Sequence, residues 1–266
     1  MRKMQSYIVK GQRIFIGLED SKKSWKLCVR SGGQVVHETS MPSDYDNLRQ
    51  YLRGGYPECE VKLMYEAGFG GFWLHDLLVS EGVECVVTPP HLVTQEKVNK
   101  VKTDRIDARR LARNLESGDY RACHVPDRER REDRQLVRTL SQIGREIKAT
   151  KNRIRKLLDF HGLNGGLPSG KWGERRYREL REMVLGEPLQ TCLNAYLDLL
   201  EDLRGYAKKL EKSLKELCGK ERYRESVKSK QSLPGVGLLS AIRFTLEWGE
   251  LSRFPHPAAT GPCCAR

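Results

Sequence analysis

The chain has 266 residues, long enough for one large domain or two modest ones built on a sizeable core. Its 48 Lys and Arg outnumber 35 Asp and Glu, giving a net charge of +13 and a pI near 9.4, a balance that points to a polyanionic partner rather than a small acidic substrate. No apolar run approaches the roughly 18–20 residues of a membrane helix, and residues 1–13 are basic and polar without the apolar stretch of a secretory signal, so no membrane partner and a cytoplasmic location are expected.

Stretches 14–19, 25–30 and 34–39 are rich in aliphatic, aromatic and β-branched residues and predict three strands, the last two joined as a hairpin by Gly32-Gly33. A helix over 44–51, a strand over 61–65, a helix over 71–80 and a strand over 83–88 follow. Alternating strands and helices predict an α/β sheet, and this order is that of the ribonuclease-H-like fold. The eight cysteines lack any two-residue spacer of a zinc site and read as reduced thiols.

After Pro89-Pro90 the strand patterns vanish. From Lys97 to Phe160 Lys and Arg outnumber Asp and Glu 19 to 10. Leu136, Leu140, Ile143, Ile147, Ile154 and Leu158 recur at helical spacing, predicting one helix over 130–161 that is about 48 Å long. A Gly- and Pro-containing break over 162–172 ends it. Leu193, Tyr196, Leu200, Leu203, Ala207, Leu210, Leu214 and Leu217 then form a near-heptad seam on a second long helix. The two are expected to pair as an antiparallel coiled coil, which serves equally as an intrachain bundle or as a self-association surface. Within 232–246, Pro234-Gly-Val-Gly237 separates two helical patterns, and Ala241 suits close packing. This resembles a helix-hairpin-helix element, whose turn at Gly235 and Gly237 offers backbone N–H groups to a phosphate.

Metal-dependent phosphodiester chemistry needs carboxylates at one point, because Mg²⁺ takes hard oxygen ligands while holding phosphate oxygens. Glu19 and Asp20 close the first strand, Glu66 closes a later one, and Asp104 and Asp107 share a face of a helix start. Singly, these acids also suit a helix N-terminus, a turn and a solvated strand end; together, in a basic chain, they predict a metal site. The cations expected to meet phosphates are Lys22, Lys23, Lys102, Arg105, Arg109, Arg110, Arg113, Arg134, Arg138, Lys151, Arg153 and Arg155, with Gly235 and Gly237.

Ile16-Gly-Leu-Glu-Asp-Ser-Lys22, Tyr65-Glu-Ala-Gly68, Lys102-Thr-Asp-Arg-Ile-Asp-Ala108, Leu111-Ala112, Pro234-Gly-Val-Gly237 and Gly249-Glu-Leu-Ser-Arg-Phe254 together resemble transposases of the insertion sequence 110 family. The resemblance implies a RuvC-like (ribonuclease-H-like) domain over 1–127, a coiled-coil linker over 128–222 and the start of a C-terminal transposase domain over 223–254. It implies a DEDD set at Glu19, Glu66, Asp104 and Asp107, Mg²⁺ as cofactor, and DNA with a structured guide RNA as partners. The family's first acid is usually Asp, so Glu19 and Asp20 both stand as first ligand. Family members carry a serine nucleophile beyond the counterpart of Phe254, whereas residues 255–266 contain no serine. A C-terminally truncated copy, unable alone to complete strand transfer, is therefore expected. A RuvC-like Mg²⁺-dependent junction nuclease and a non-catalytic nucleic-acid-binding remnant are the alternatives.

Overall fold

Three strands open the chain, β1 (Arg13–Glu19), β2 (Ser24–Ser31) and β3 (Gln34–Pro42). The computed structural model describes residues 11–68, 70–90, 104–163 and 172–254, which divide into two units, Met1–Val125 and Pro126–Arg266. Gly32 and Gly33, with φ of +58° and +79°, make the tight β2–β3 turn, a backbone conformation that L side chains resist. Next come α1 (Tyr45–Gly55), capped by Asp44, then β4 (Glu60–Glu66), α2 (Trp73–Ser80) and β5 (Glu84–Thr88). The sheet runs β3-β2-β1-β4-β5; β1, β2 and β3 pair antiparallel, whereas β4 pairs parallel with both β1 and β5.

Alternation along the strands loads both faces. Ile14, Ile16 and Leu18 of β1 join Leu27, Leu63 and Tyr65 in a core that includes Leu48 and Leu52 of α1 and Leu74 and Leu78 of α2. The other face is covered by α3 (Asp104–Ser117): Leu111 and Leu115 pack with Phe15, Met64 and Val86, while Ala108 and Ala112 pack on Cys28. Contact with β1 is at backbone range. A Cβ on Gly17 would lie 2.9 Å from Leu111 Cβ and closer still to the Ala108 carbonyl oxygen and the Ala112 amide nitrogen.

The second unit is helical: α4 (Arg128–Phe160), α5 (Glu174–Glu182), α6 (Glu187–Gly219), α7 (Glu221–Gln231) and α8 (Leu238–Trp248), then a 3₁₀ turn over Leu251–Arg253. Val137 near the start of α4 packs with Leu214 and Leu217 near the end of α6, and Ile154 and Leu158 pack with Leu193, Leu197 and Leu200. The two long helices are therefore antiparallel neighbours. Burial concentrates at the two ends of the pair, where α5 and the α7–α8 hairpin supply further apolar cover; Ile143, Leu203, Ala207 and Leu210 between them are half-buried.

Asp127 caps α4, accepting from Arg130 N at 2.9 Å, and also accepts from the Arg222 guanidinium, which donates to Glu129 Oε2 at 2.5 Å. The Arg222 hydrogen bond holds the Asp127 carboxyl at about 2, below its ordinary 3.8. A depressed folded-state value means that its stabilisation is present above about pH 4 and is lost as pH falls toward 2. Asp127→Asn, which keeps a competent cap, is expected to lower the urea midpoint at pH 7 modestly, because the carboxylate is half exposed. The gap from wild type should close between pH 4 and 2; an equal gap at both ends would refute the assignment.

Candidate active site

Strand parity fixes which acids share a face. Phe15 and Gly17 of β1 and Met64 of β4 point toward α3, so Glu19 and Glu66, two residues further along their strands, follow them. β1 and β4 run parallel with Leu18 beside Tyr65, which sets Glu19 and Glu66 at adjacent strand ends, and Glu66 neighbours Thr88 of β5. α3 begins over this edge. Asp107, immediately before the Ala108 that meets β1, is buried, whereas Asp104 and Arg105 in the first turn are exposed. Arg110, one turn on, ties the edge together: its Nη2 lies 2.9 Å from Asp107 Oδ1 and 3.0 Å from Glu66 Oε1. Arg110 Nε is buried with no hydrogen-bond partner.

Asp20 behaves differently from its neighbour. Its Oδ1 accepts from Trp25 Nε1 at 2.8 Å, and Trp25 belongs to the core under α1 and α2, on the sheet face away from α3. The Asp20 carboxyl also lies against Gly70, where a Cβ would run into it. Burial pushes the Asp20 carboxyl up, with the Trp25 hydrogen bond opposing. The two adjacent acids thus face different environments, and Glu19 is the one on the α3 face. Among the described residues, no three His, Cys, Asp or Glu side chains converge closely enough to hold a metal ion. Glu66 and Asp107 meet at one guanidinium; Asp104 stands a turn earlier at the exposed helix start.

The expected cations differ in exposure and in what they hold. Lys22, Lys23, Arg105 and Arg113 of the first unit and Arg153 and Arg155 of α4 are exposed, while Lys102 lies outside the described residues. Arg109 forms a two-pronged pair with Glu38, Nη2 to Oε2 at 2.7 Å, and this holds the Glu38 carboxyl below its ordinary value. Lys151 lies over the Trp172 ring, and burial pushes its ammonium down. Arg134 and Arg138, expected on a phosphate-facing surface, both bind the end of α8, Arg134 largely buried and Arg138 exposed. Arg134 donates to the Leu246 and Glu247 carbonyls at 2.6 and 2.7 Å, and Arg138 holds both Glu247 carboxylate oxygens at 3.0 Å. The end of α8 has carbonyls without intrahelical donors, and Arg134 satisfies them.

Sequence reasoning missed two features. Arg110 was expected to meet phosphate, but it joins two acids; its spacing of three from Asp107 was the available signal. Lys26, directly opposite Glu19 on β2, shares the α3 face and donates to Ser40 Oγ at 2.6 Å. The α7–α8 turn is tight: Gly235 has φ of +79°, Val236 N donates to Leu233 O at 3.1 Å, and Gly237 caps α8.

The sequence model of the IS110 DEDD family, described as transposase, matches residues 16–162. The chain is 32% identical over 223 residues to the Sinorhizobium fredii protein named "Putative transposase y4rJ", covering 74% of this chain and 55% of that protein. It is 27% identical over 249 residues to y4qE of the same organism, covering 91% and 60%. It is 24% identical over 257 residues to the transposase for insertion sequence element IS1533 of Leptospira borgpetersenii, covering 92% and 74%. The chain thus spans little more than half the length of the two Sinorhizobium relatives. A match that runs from the first strand through the first long helix, and takes in Glu19, Asp20, Glu66, Asp104 and Asp107, places the chain in the IS110 family of DEDD insertion-sequence transposases.

Proposed function

We propose that the chain is a DNA recombinase of an insertion sequence whose residues 1–127 form a RuvC-like, ribonuclease-H-like domain with Glu19, Glu66, Asp104 and Asp107 as its acids. The sheet order, an antiparallel hairpin beside parallel β1, β4 and β5 with α3 across β1, supports that fold reading. The observation that carries the site is the meeting of Glu66 and buried Asp107 at one cationic group, on the face to which β1 sends Glu19. Carboxylate oxygens suit a hard divalent ion, and the pair already accommodates positive charge between its members, so these residues fit Mg²⁺. Glu66 and Asp107 would hold it, with Glu19 and Asp104 from the same edge. When bound, such an ion neutralises charge developing on phosphate oxygens. Lys22, Lys23, Arg105 and Arg113, exposed on the same unit, would position the DNA backbone, leaving sequence choice to base pairing with a structured guide RNA. Residues 128–222 serve as a helical linker that pairs copies of the chain in coiled-coil fashion. Residues 223–254 begin a second DNA-binding element, in which Gly235 and Gly237 take a phosphate.

The test is thermal unfolding with and without millimolar Mg²⁺. The wild type is expected to gain about 3 °C or more, since a ligand bound only by the folded state stabilises it. Glu19→Gln, Glu66→Gln and Asp107→Asn should blunt the gain, and Asp20→Asn should keep it. A gain lost in Asp20→Asn and kept in Glu19→Gln would reverse the choice of first acid. A gain in none of these proteins would remove the metal site.

A further inference from the structure

The Arg110 guanidinium occupies the space between two acids that a divalent ion would join. One nitrogen, Nη2, serves both carboxylates, at 3.0 Å from Glu66 and 2.9 Å from Asp107, and the three side chains are 15%, 18% and 4% exposed. The two-pronged fork that makes arginine–carboxylate pairs strong is therefore formed with neither acid. Nε is buried without a partner, a donor that lost its water and gained nothing in return. Arg109, next in the chain, is the contrast: it engages both oxygens of Glu38. Two adjacent arginines on α3 thus differ in kind, one held by a complete fork and one wedged between acids through a single nitrogen.

Without a cation, Glu66 and buried Asp107 would repel one another across the strand end. Arg110 relieves that repulsion at the cost of an unsatisfied Nε. We propose that Arg110 is an internal counter-cation that holds the acid pair until a divalent metal replaces it, so that Arg110 and the metal exclude one another at Glu66 and Asp107. This rests on the metal-site reading above. Displacement breaks both contacts of Nη2 and returns Nε to water, so the arginine sets how much metal the site requires.

The experiment is calorimetric titration of the full chain with Mg²⁺, together with thermal unfolding in EDTA, for the wild type, Arg110→Met, Arg110→Lys and Arg109→Met. Arg110→Met is expected to melt earlier in EDTA yet bind Mg²⁺ about tenfold more tightly, about 1.4 kcal/mol at 25 °C. Arg110→Lys should fall between it and the wild type, and Arg109→Met should keep the wild-type affinity within about twofold. The Arg110 Nε–H resonance, identified by its loss in Arg110→Lys, is expected to move on Mg²⁺ titration of the wild type. This readout stands even if Arg110→Met fails to fold. Equal or weaker Mg²⁺ binding by Arg110→Met, or an Nε–H signal that stays fixed while Mg²⁺ binds, overturns the proposal and leaves the metal site intact. Absence of Mg²⁺ binding in wild type and variants alike overturns both.

Discussion

Gly17→Ala is expected to destabilise the first unit by about 3 kcal/mol, the upper part of the usual range for forcing volume into a packed site. The added methyl meets Ala108 O, Ala112 N and Leu111 Cβ. The first two are backbone atoms, so no rotamer change relieves the clash; α3 must move off β1. That movement carries Asp107 and Arg110 with it and separates them from Glu66, so any Mg²⁺-dependent stabilisation should fall together with the urea midpoint. Gly54→Ala is the control. Gly54 lies in α1 with nothing within 4 Å of the added methyl, and alanine there should be neutral or stabilising by up to about 1 kcal/mol. A Gly17→Ala midpoint equal to wild type would contradict the close approach of α3 to β1.

Affinity for element-end DNA is expected to fall about a thousandfold between 50 and 200 mM salt, the loss associated with about six neutralised phosphates. Besides Arg109 and Arg138, which hold carboxylates with both prongs, six cations of the expected set are exposed: Lys22, Lys23, Arg105, Arg113, Arg153 and Arg155. Replacing Arg153 and Arg155 together by Ala should reduce the slope of log affinity against log salt by about 2 while leaving sequence preference alone. Arg134→Ala should act otherwise. Its guanidinium serves the α8 carbonyls, so the variant should lose helical stability and keep the salt slope. A salt-independent affinity would remove the phosphate-binding reading, and a slope change in Arg134→Ala without a loss of stability would return that residue to the interface.

β1, β2, β4 and β5 were legible because one face of each is apolar at every second residue, Ile14, Ile16 and Leu18 being the plainest case, whereas β3 was legible from the glycine turn before it and its β-branched start. The same parity separates Glu19 from Asp20, but only once α3 is known to cover the face of Phe15 and Gly17, a long-range fact that local pattern does not contain. The two long helices were legible from their seams, and α4 starts two residues before the expected Arg130 because capping by Asp127 decides its first turn. α5 and α7 were not picked out individually. Glu174–Glu182 buries little beyond Leu180 and the stem of Arg176, and α7 offers Tyr223 and Val227, too few apolar residues to register as a seam. The roles of Arg110, Arg134 and Arg138 were illegible for a different reason. A cationic residue looks the same in sequence whether it faces a phosphate, a carboxylate or the end of a helix.

The hold of Arg134 on α8 spans a sequence separation of 112 residues, and Tyr223 donates to Asp133 at 2.7 Å across 90. During synthesis at roughly 5–20 residues per second, α4 would wait about 5–20 s before α8 exists to be grasped. Throughout that interval Val137, which is buried by α6 and its neighbours in the finished unit, has no apolar cover from them. The second unit is therefore a late-closing fold on the ribosome, while the sheet of the first can already be complete, and the growing chain carries a long, basic, unclosed helix that a nearby nucleic acid could engage before the unit has shut.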